Sequence, residues 1–230
     1  MINLKSVAQI FEESNFELLP YNDANGGNSY YDTQGCHDFD LPCFKEIVKT
    51  HNIDFAIEIG SFVGLGAIKM FENISTLKKL ICVDPWMWPG NHHKGVSYFP
   101  KPFEQFCSNI KHMKLDDKIF PWRTTSQKAS QELLNTNKFD LIHIDAIHDY
   151  ENVLHDLTVW EPYLKDGGVI CGDDWVVIES QIVSKEVCFI DIENFRPFGG
   201  VQSALKEFLS NRSGYDLHAC QNFYWLVKNK

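Results

Sequence analysis

Short apolar runs recur along this chain, and helix-spaced stretches lie between them. Phe55–Ile59 (FAIEI), Leu80–Val83 (LICV), Leu141–Ile144 (LIHI) and Val169–Cys171 (VIC) are bounded by charge or turn residues. That is the pattern of strands buried on both faces, as in a parallel sheet. Lys118–Pro121 predicts a further short strand. Asp216–Cys220 and Phe223–Val227 predict a closing hairpin across Gln221 and Asn222. Helical spacing follows the glycine-rich turn after Ile59 and continues through Phe71. It returns over Phe103–Met113, Ser126–Leu134, Tyr150–Tyr163 and Val201–Leu209. The expected fold is therefore α/β, with a mostly parallel seven-stranded sheet, helices on both faces and a C-terminal antiparallel hairpin.

Upstream, Ile2–Phe16 reads as an amphipathic helix and Leu41–His51 as helical. Tyr21–Asp40 and Pro85–Pro102 read as long loops, rich in Gly, Asn, Asp, Pro and aromatic residues. One domain over residues 1–230 is expected, with 1–50 as a helical and loop extension. Long loops in compact domains are often lids or substrate contacts, so the extension is a candidate substrate lid.

Three of the strands end in acid. Asp145 follows Leu141–Ile144, and Asp173 and Asp174 follow Val169–Cys171. A right-handed strand–helix–strand crossover makes these strands parallel, so the three carboxylates reach one sheet edge. Open α/β sheets bind ligands at that edge. Unpaired carboxylates there would repel one another, and a hard divalent cation such as Mg²⁺ would relieve the repulsion. His148 lies one helical turn past Asp145, where an imidazole can serve as a base. The third strand with an acidic end is Leu80–Val83, which stops at Asp84. Before it, EIGSFVGLG (Glu58–Gly66) joins a strand to a helix, and its glycines allow a ligand to approach the backbone and the free N–H groups of the helix start. Asp84 is then placed to accept hydrogen bonds from ribose hydroxyls. Gly60, Gly64 and Gly66 are not spaced as GxGxxG, which argues for a nucleoside cofactor other than a dinucleotide.

The formal charge is −10 and the pI about 5.3, against a nucleic-acid binder that tracks phosphates with a basic face. The seven cysteines form no CxxC pair, which excludes the usual zinc knuckle and fits a reducing, cytoplasmic setting. No apolar stretch is long enough to span a bilayer, and no membrane partner is expected.

Plainer roles stand beside these. Asp145, Asp173 and Asp174 can each be turn or cap residues. His143, inside a strand, reads as a core residue. His92 and His93 read as loop. Trp86, Trp88 and Trp175 suit either stacking or packing. Asp149, Glu151 and Asp156 are expected on the solvated face of their helix.

Taken together, EIGSFVGLG, VDPW and IDAIHDYENVLHDLTVWEPYLKDGGVICGDDW resemble the class I S-adenosylmethionine-dependent O-methyltransferases. The nearer likeness is to metal-dependent sugar O-methyltransferases of the macrocin and mycinamicin type, and the farther one to catechol and caffeoyl-CoA enzymes. The resemblance implies a Rossmann-like fold and roles for named positions. Glu58, Gly60, Ser61 and Gly64 would hold the methionine end of the cofactor, with Asp145 nearby, and Asp84 would hold the ribose. Thr125, Ser126 and Gln127 would lie near the adenine. Asp145, Asp173 and Asp174 would bind Mg²⁺ or another hard divalent cation, and His148 would be the base. The expected activity is Mg²⁺-dependent methyl transfer to a hydroxyl of a small molecule such as a sugar or polyol, with a homo-oligomer suggested by the sugar-type relatives. Two other readings are a nicotinamide-dependent oxidoreductase and a non-catalytic metal- or partner-binding module of the same fold.

Overall fold

The structure is a computed structural model. It describes residues 3–14, 16–22, 45, 48–87, 101–133, 138–175, 183–191, 193, 196–197 and 199–229. Most of the two long loops lies outside these residues, as do Cys36, Cys43, Trp88, His92 and His93.

The strands are β1 (Phe55–Ile59), β2 (Lys79–Asp84), β3 (Ile119–Arg123), β4 (Phe139–Ile144), β5 (Leu164–Gly172), β6 (Val183–Phe189), β7 (Tyr215–Gln221) and β8 (Phe223–Lys228). They form one sheet in the order β3-β2-β1-β4-β5-β8-β7-β6. The first five are mutually parallel, and β8, β7 and β6 run antiparallel. The expected seven strands are β1–β5, β7 and β8, and β6 extends the sheet by an eighth at its edge. The β7–β8 hairpin turns at Gln221 and Asn222, with Cys220 opposite Phe223. Gln221 takes a positive φ of 53° there.

The α-helices are α1 (Val7–Glu13), α2 (Leu65–Asn73), α3 (Pro102–His112), α4 (Ser126–Glu132), α5 (Tyr150–Trp160) and α6 (Gly200–Ser210). A 3₁₀ turn, Glu161–Tyr163, finishes the stretch begun by α5. Three helices start on side-chain caps. Ser6 and Gln9 form a reciprocal capping box, while Thr125 and Asp149 accept from the N–H groups of Lys128 and Asn152. Such caps each stabilise a helix by about 1 kcal/mol.

Strand alternation divides the core into two layers. Ile57, Ile59, Ile81 and Val83 face one side, where Val153, Leu157 and Trp160 of α5 and Val201, Leu205 and Phe208 of α6 cover them. Ala56, Leu80 and Cys82 face the other, under Ala67, Ile68 and Met70 of α2 and Phe106 and Ile110 of α3. Burying each large aliphatic side chain contributes roughly 1.5–3 kcal/mol. Period-two geometry therefore sends Glu58 to the α2 face, between Cys82 and His143 in the strand register.

Candidate active site

The loops after β1, β2, β4 and β5 leave the same edge of the sheet, at the C-terminal ends of parallel strands. Asp145, His148 and Asp173 meet there, with ligand-capable atoms all within 4.8 Å of one another. His148 Nε2 lies 3.2 Å from Asp145 Oδ1 and 3.3 Å from Asp173 Oδ1. On the other side of the ring, Nδ1 pairs with Asp174 Oδ2. Asn222, in the hairpin turn, donates to Asp174 Oδ1 at 3.2 Å. The three-carboxylate set expected at this edge is therefore drawn differently. Asp145 and Asp173 converge as anticipated, but His148 completes the cluster and Asp174 braces the imidazole from behind. The reason is backbone geometry. Asp173 and Asp174 are consecutive, and Asp174 turns into the left-handed region (φ 54°), which separates their side chains.

Electrostatics make this cluster hold protons. Burial pushes the Asp173 carboxyl well up, and the Asp145 charge adds to that. Burial alone would lower His148. Its hydrogen bonds to Asp145 and Asp174, with the Asp173 and Asp174 charges, prevail and push it up to about 11. Asp174 shows the converse. Burial opposes its ionisation, yet contact with His148 holds its carboxyl below the usual range. Asp173 Oδ1 is buried and accepts no hydrogen bond from the described residues. Two carboxylates and an imidazole, with a lone pair left over, suit a divalent cation. The nitrogen widens the choice beyond Mg²⁺ towards Mn²⁺ and similar ions.

The glycine loop is built differently. Asp84 Oδ2 accepts from the N–H groups of Ser61 (3.0 Å) and Phe62 (2.9 Å), and Oδ1 accepts from Trp86 N at 2.6 Å. The Trp86 indole donates in turn to the Phe62 carbonyl. Gly60 is obligatory at φ +87°, because a Cβ would stand 2.2 Å from the Asp145 carbonyl oxygen. The two loops that carry the cofactor-type and metal-type residues thus touch. Behind them, Glu58 is 1% exposed. Its Oε1 lies 3.3 Å from His143 Nδ1, and a Cβ at Gly66 would come within 2.4 Å of it.

A cavity of about 650 Å³ runs along this edge. Among its lining residues, Gly60 and Asp145 follow the adjacent strands β1 and β4, Asp84 ends β2, and Thr125, Ser126 and Gln127 follow the outermost strand β3. Asn152, His155 and Asp156 of α5 also line it. Its size is in the range of small-molecule and cofactor sites.

A family model described as a methyltransferase domain matches residues 57–175, just over half of the chain. The chain belongs to the methyltransferase-domain family. The expected resemblance thus holds at the level of family. An uncharacterized protein of Acanthamoeba polyphaga mimivirus is 29% identical over 152 residues, which cover 62% of this chain and 63% of that relative. The match thus spans under two thirds of the relative's length. Among solved structures, the O-methyltransferase from Bacillus cereus in complex with SAH is similar at 17% identity and TM-score 0.58, covering 97% of this chain and 89% of that one. TomG from Streptomyces achromogenes, in complex with SAM, is similar at 15% identity and TM-score 0.56, with both chains fully covered (100% and 100%). These likenesses confirm the Rossmann-like methyltransferase fold.

Of the residues singled out in the sequence, Gly60, Asp84, Ser126, Gln127 and Asp145 line the cavity. Glu58, Ser61 and Gly64 do not. Glu58 points to the opposite face of the sheet, Ser61 offers its backbone N–H to Asp84, and Gly64 (φ +89°) begins α2. His143 is a paired core residue, as expected. Trp86 and Trp175 are buried in packing at 4% and 3% exposure. Asp149 is an exposed cap, but Asp156 is a correction: it is 4% exposed rather than solvated. The signal was present, since Asp156 lies three residues past Val153 and four before Trp160, on the apolar stripe of α5.

Among the described residues no helix is long and apolar enough to cross a membrane.

Proposed function

We propose that this protein transfers a methyl group from S-adenosylmethionine to a hydroxyl of a small molecule, with a divalent cation held by Asp145 and Asp173 and with His148 beside it as the base. One observation carries the reading. Asp145 belongs both to the cofactor-sized cavity and to the acidic cluster, so the cavity's contents and the cluster share one wall. The similar Bacillus cereus and Streptomyces achromogenes proteins, an O-methyltransferase with SAH and one with SAM, support the cofactor and the oxygen acceptor.

In this reading the Gly60 turn receives the amino-acid end of the cofactor. Asp84, already fixed by three backbone N–H groups, retains lone pairs for the ribose hydroxyls. The cation, Mg²⁺ by preference for its carboxylates, would supply Lewis acidity that lowers the pKa of an acceptor hydroxyl. Asp174 holds Nδ1 of His148, which leaves Nε2 on the inner side of the cluster to take a proton. Methyl transfer from a sulfonium needs alignment above all, and rigid strand ends provide it. The acceptor is a sugar, polyol or catechol type of hydroxyl compound. The described cysteines, Cys82, Cys107, Cys171 and Cys220, are buried thiols outside any disulfide, which supports a reducing compartment.

The test is a methyl-transfer screen of hydroxylated sugars, polyols and catechols with labelled S-adenosylmethionine, run with Mg²⁺ and with excess chelator. Transfer that Mg²⁺ restores after chelation is expected. Cofactor binding with full turnover in chelator would leave the methyltransferase and remove the cation from it.

A further inference from the structure

Asp156 is the most unusual side chain of the cavity. It sits on the buried stripe of α5 between Val153 and Trp160, where an apolar residue would pack without cost. Burial pushes its carboxyl up from the usual range, as expected for an acid with few partners. Its neighbours hold it in one orientation. Trp160 Nε1 donates to Ser126 Oγ at 2.9 Å, and the Ser126 hydroxyl donates to Asp156 Oδ1. The indole thus occupies a lone pair of Ser126 and leaves the hydroxyl proton for the carboxylate. Oδ2 accepts no hydrogen bond from the described residues, and the side chain lines the cavity. That oxygen opens on the cavity, and a ligand N–H would give this largely buried carboxylate a second donor.

The position within the cavity says which part of a ligand arrives there. The reacting methyl must lie by Asp145 and His148, and the ribose by Asp84 at the end of β2. Ser126 follows β3, outside β2 in the sheet, and it donates to Asp156, so the pair lies past the strand end that would hold the ribose, where the nucleobase would fall. Adenine offers acceptors at N1, N3 and N7, which a carboxylate repels, and one donor group, the 6-amino group.

We propose that Asp156 selects the cofactor's adenine by accepting a hydrogen bond from its 6-amino group, with Ser126 and Trp160 as positioning residues. The proposal rests on the S-adenosylmethionine reading. It also moves Ser126 from direct contact with the base to orientation of the group that makes it.

The experiment compares S-adenosylhomocysteine with its 6-deamino purine analogue by titration calorimetry on the full chain. The wild-type protein is expected to bind the analogue roughly 10- to 100-fold more weakly, the range for losing a hydrogen bond to a charged group. In Asp156→Ala the two ligands are expected to bind within about threefold of each other. The ratio within one variant does not depend on how much of it is folded. Should that variant not fold, Asp156→Asn keeps the volume, and its ratio is expected to fall several-fold below that of the wild type. A wild-type ratio near one, or an unchanged ratio in the variants, overturns the role of Asp156 while leaving the cofactor reading intact. Failure of the wild type to bind S-adenosylhomocysteine at all overturns both.

Discussion

Asp84, at the end of β2, accepts three backbone N–H groups, while Asp173, just past β5, accepts none among the described residues. Both sit at the same edge of one sheet. The first is a finished piece of structure, since its hydrogen bonds fold the glycine loop whether or not a ligand is present. The second is kept beside Asp145 with only His148 to offset the charge. One half of the site is thus preorganised by the backbone, and the other is left short of positive charge. Fold stability and ligand demand are separate properties of the edge, and different residues carry them.

The largest effect expected from this division lies at His148. His148→Ala should lower kcat by roughly 10²–10⁴ while S-adenosylmethionine affinity is retained, because the cofactor half does not depend on the imidazole. Parallel loss of affinity in calorimetry would show that the halves are not separate. Next comes a paired comparison of the two acids. Asp84→Ala should cost about 1–3 kcal/mol both in thermal stability and in cofactor binding, since it orphans three donors. Asp173→Asn should abolish cation binding yet leave the chelated protein at least as stable, because it removes a buried like charge. Equal destabilisation by the two in denaturant titrations would erase the distinction.

A pH titration sharpens it further. Two shifts here retain protons: Asp173 is raised by burial and by Asp145, and His148 is raised to about 11, while Asp174 is lowered and is ionised in both states above the acid range. The folded, cation-free state therefore binds more protons than the unfolded chain above the unfolded acid's range, and stability falls as pH rises. His148 contributes fully below its unfolded value of about 6.5, and that contribution is lost as pH climbs through about 11. The slope for one proton is at most about 1.4 kcal/mol per pH unit. Cation binding at pH 7 should release roughly one proton, seen as a buffer-dependent enthalpy, and should flatten the profile. A cation-free protein whose stability increases between pH 7 and 10 would contradict the cluster's electrostatics. The smallest effect concerns Tyr224, 1% exposed, whose buried hydroxyl has no hydrogen-bond partner among the described residues. Tyr224→Phe should shift stability by less than about 1 kcal/mol, on the stabilising side, because no bond is lost. A large loss would reveal a bridging water between this phenol and the acids.

The sheet was legible because its five parallel strands are apolar runs with clear ends, and β1 was read to the residue. β6 was not, because VSKEVCF carries a Lys–Glu pair at its centre. Edge strands tolerate such charge, and it removes the apolar alternation that reveals interior strands. The site divides in the same way. Acids at strand ends announce themselves by position alone, so Asp84, Asp145 and Asp173 could be placed. The separation of Asp173 from Asp174 rests on one backbone torsion that sequence pattern does not carry. The direction of Glu58 was readable from period two, since Ile57 and Ile59 take the other face. Asp156 was readable too, as an acid on an apolar stripe.

The strand order also has a meaning for how the protein is made. β8 follows the other seven described strands in the chain, so it leaves the ribosome after them, yet it lies inside the sheet, between β5 and β7. Until Phe223–Lys228 has emerged, the backbone of Val169–Gly172 has no partner on that side. A nascent chain with β1–β5 in place would thus carry an open, apolar edge next to Asp173, the kind of edge that recruits other chains. Ribosome-stalled chains ending before Phe223 should be cleaved by added protease around β5, and chains extended past Lys228 should be protected there. Equal protection of both would mean that the parallel half completes itself co-translationally without its final strand.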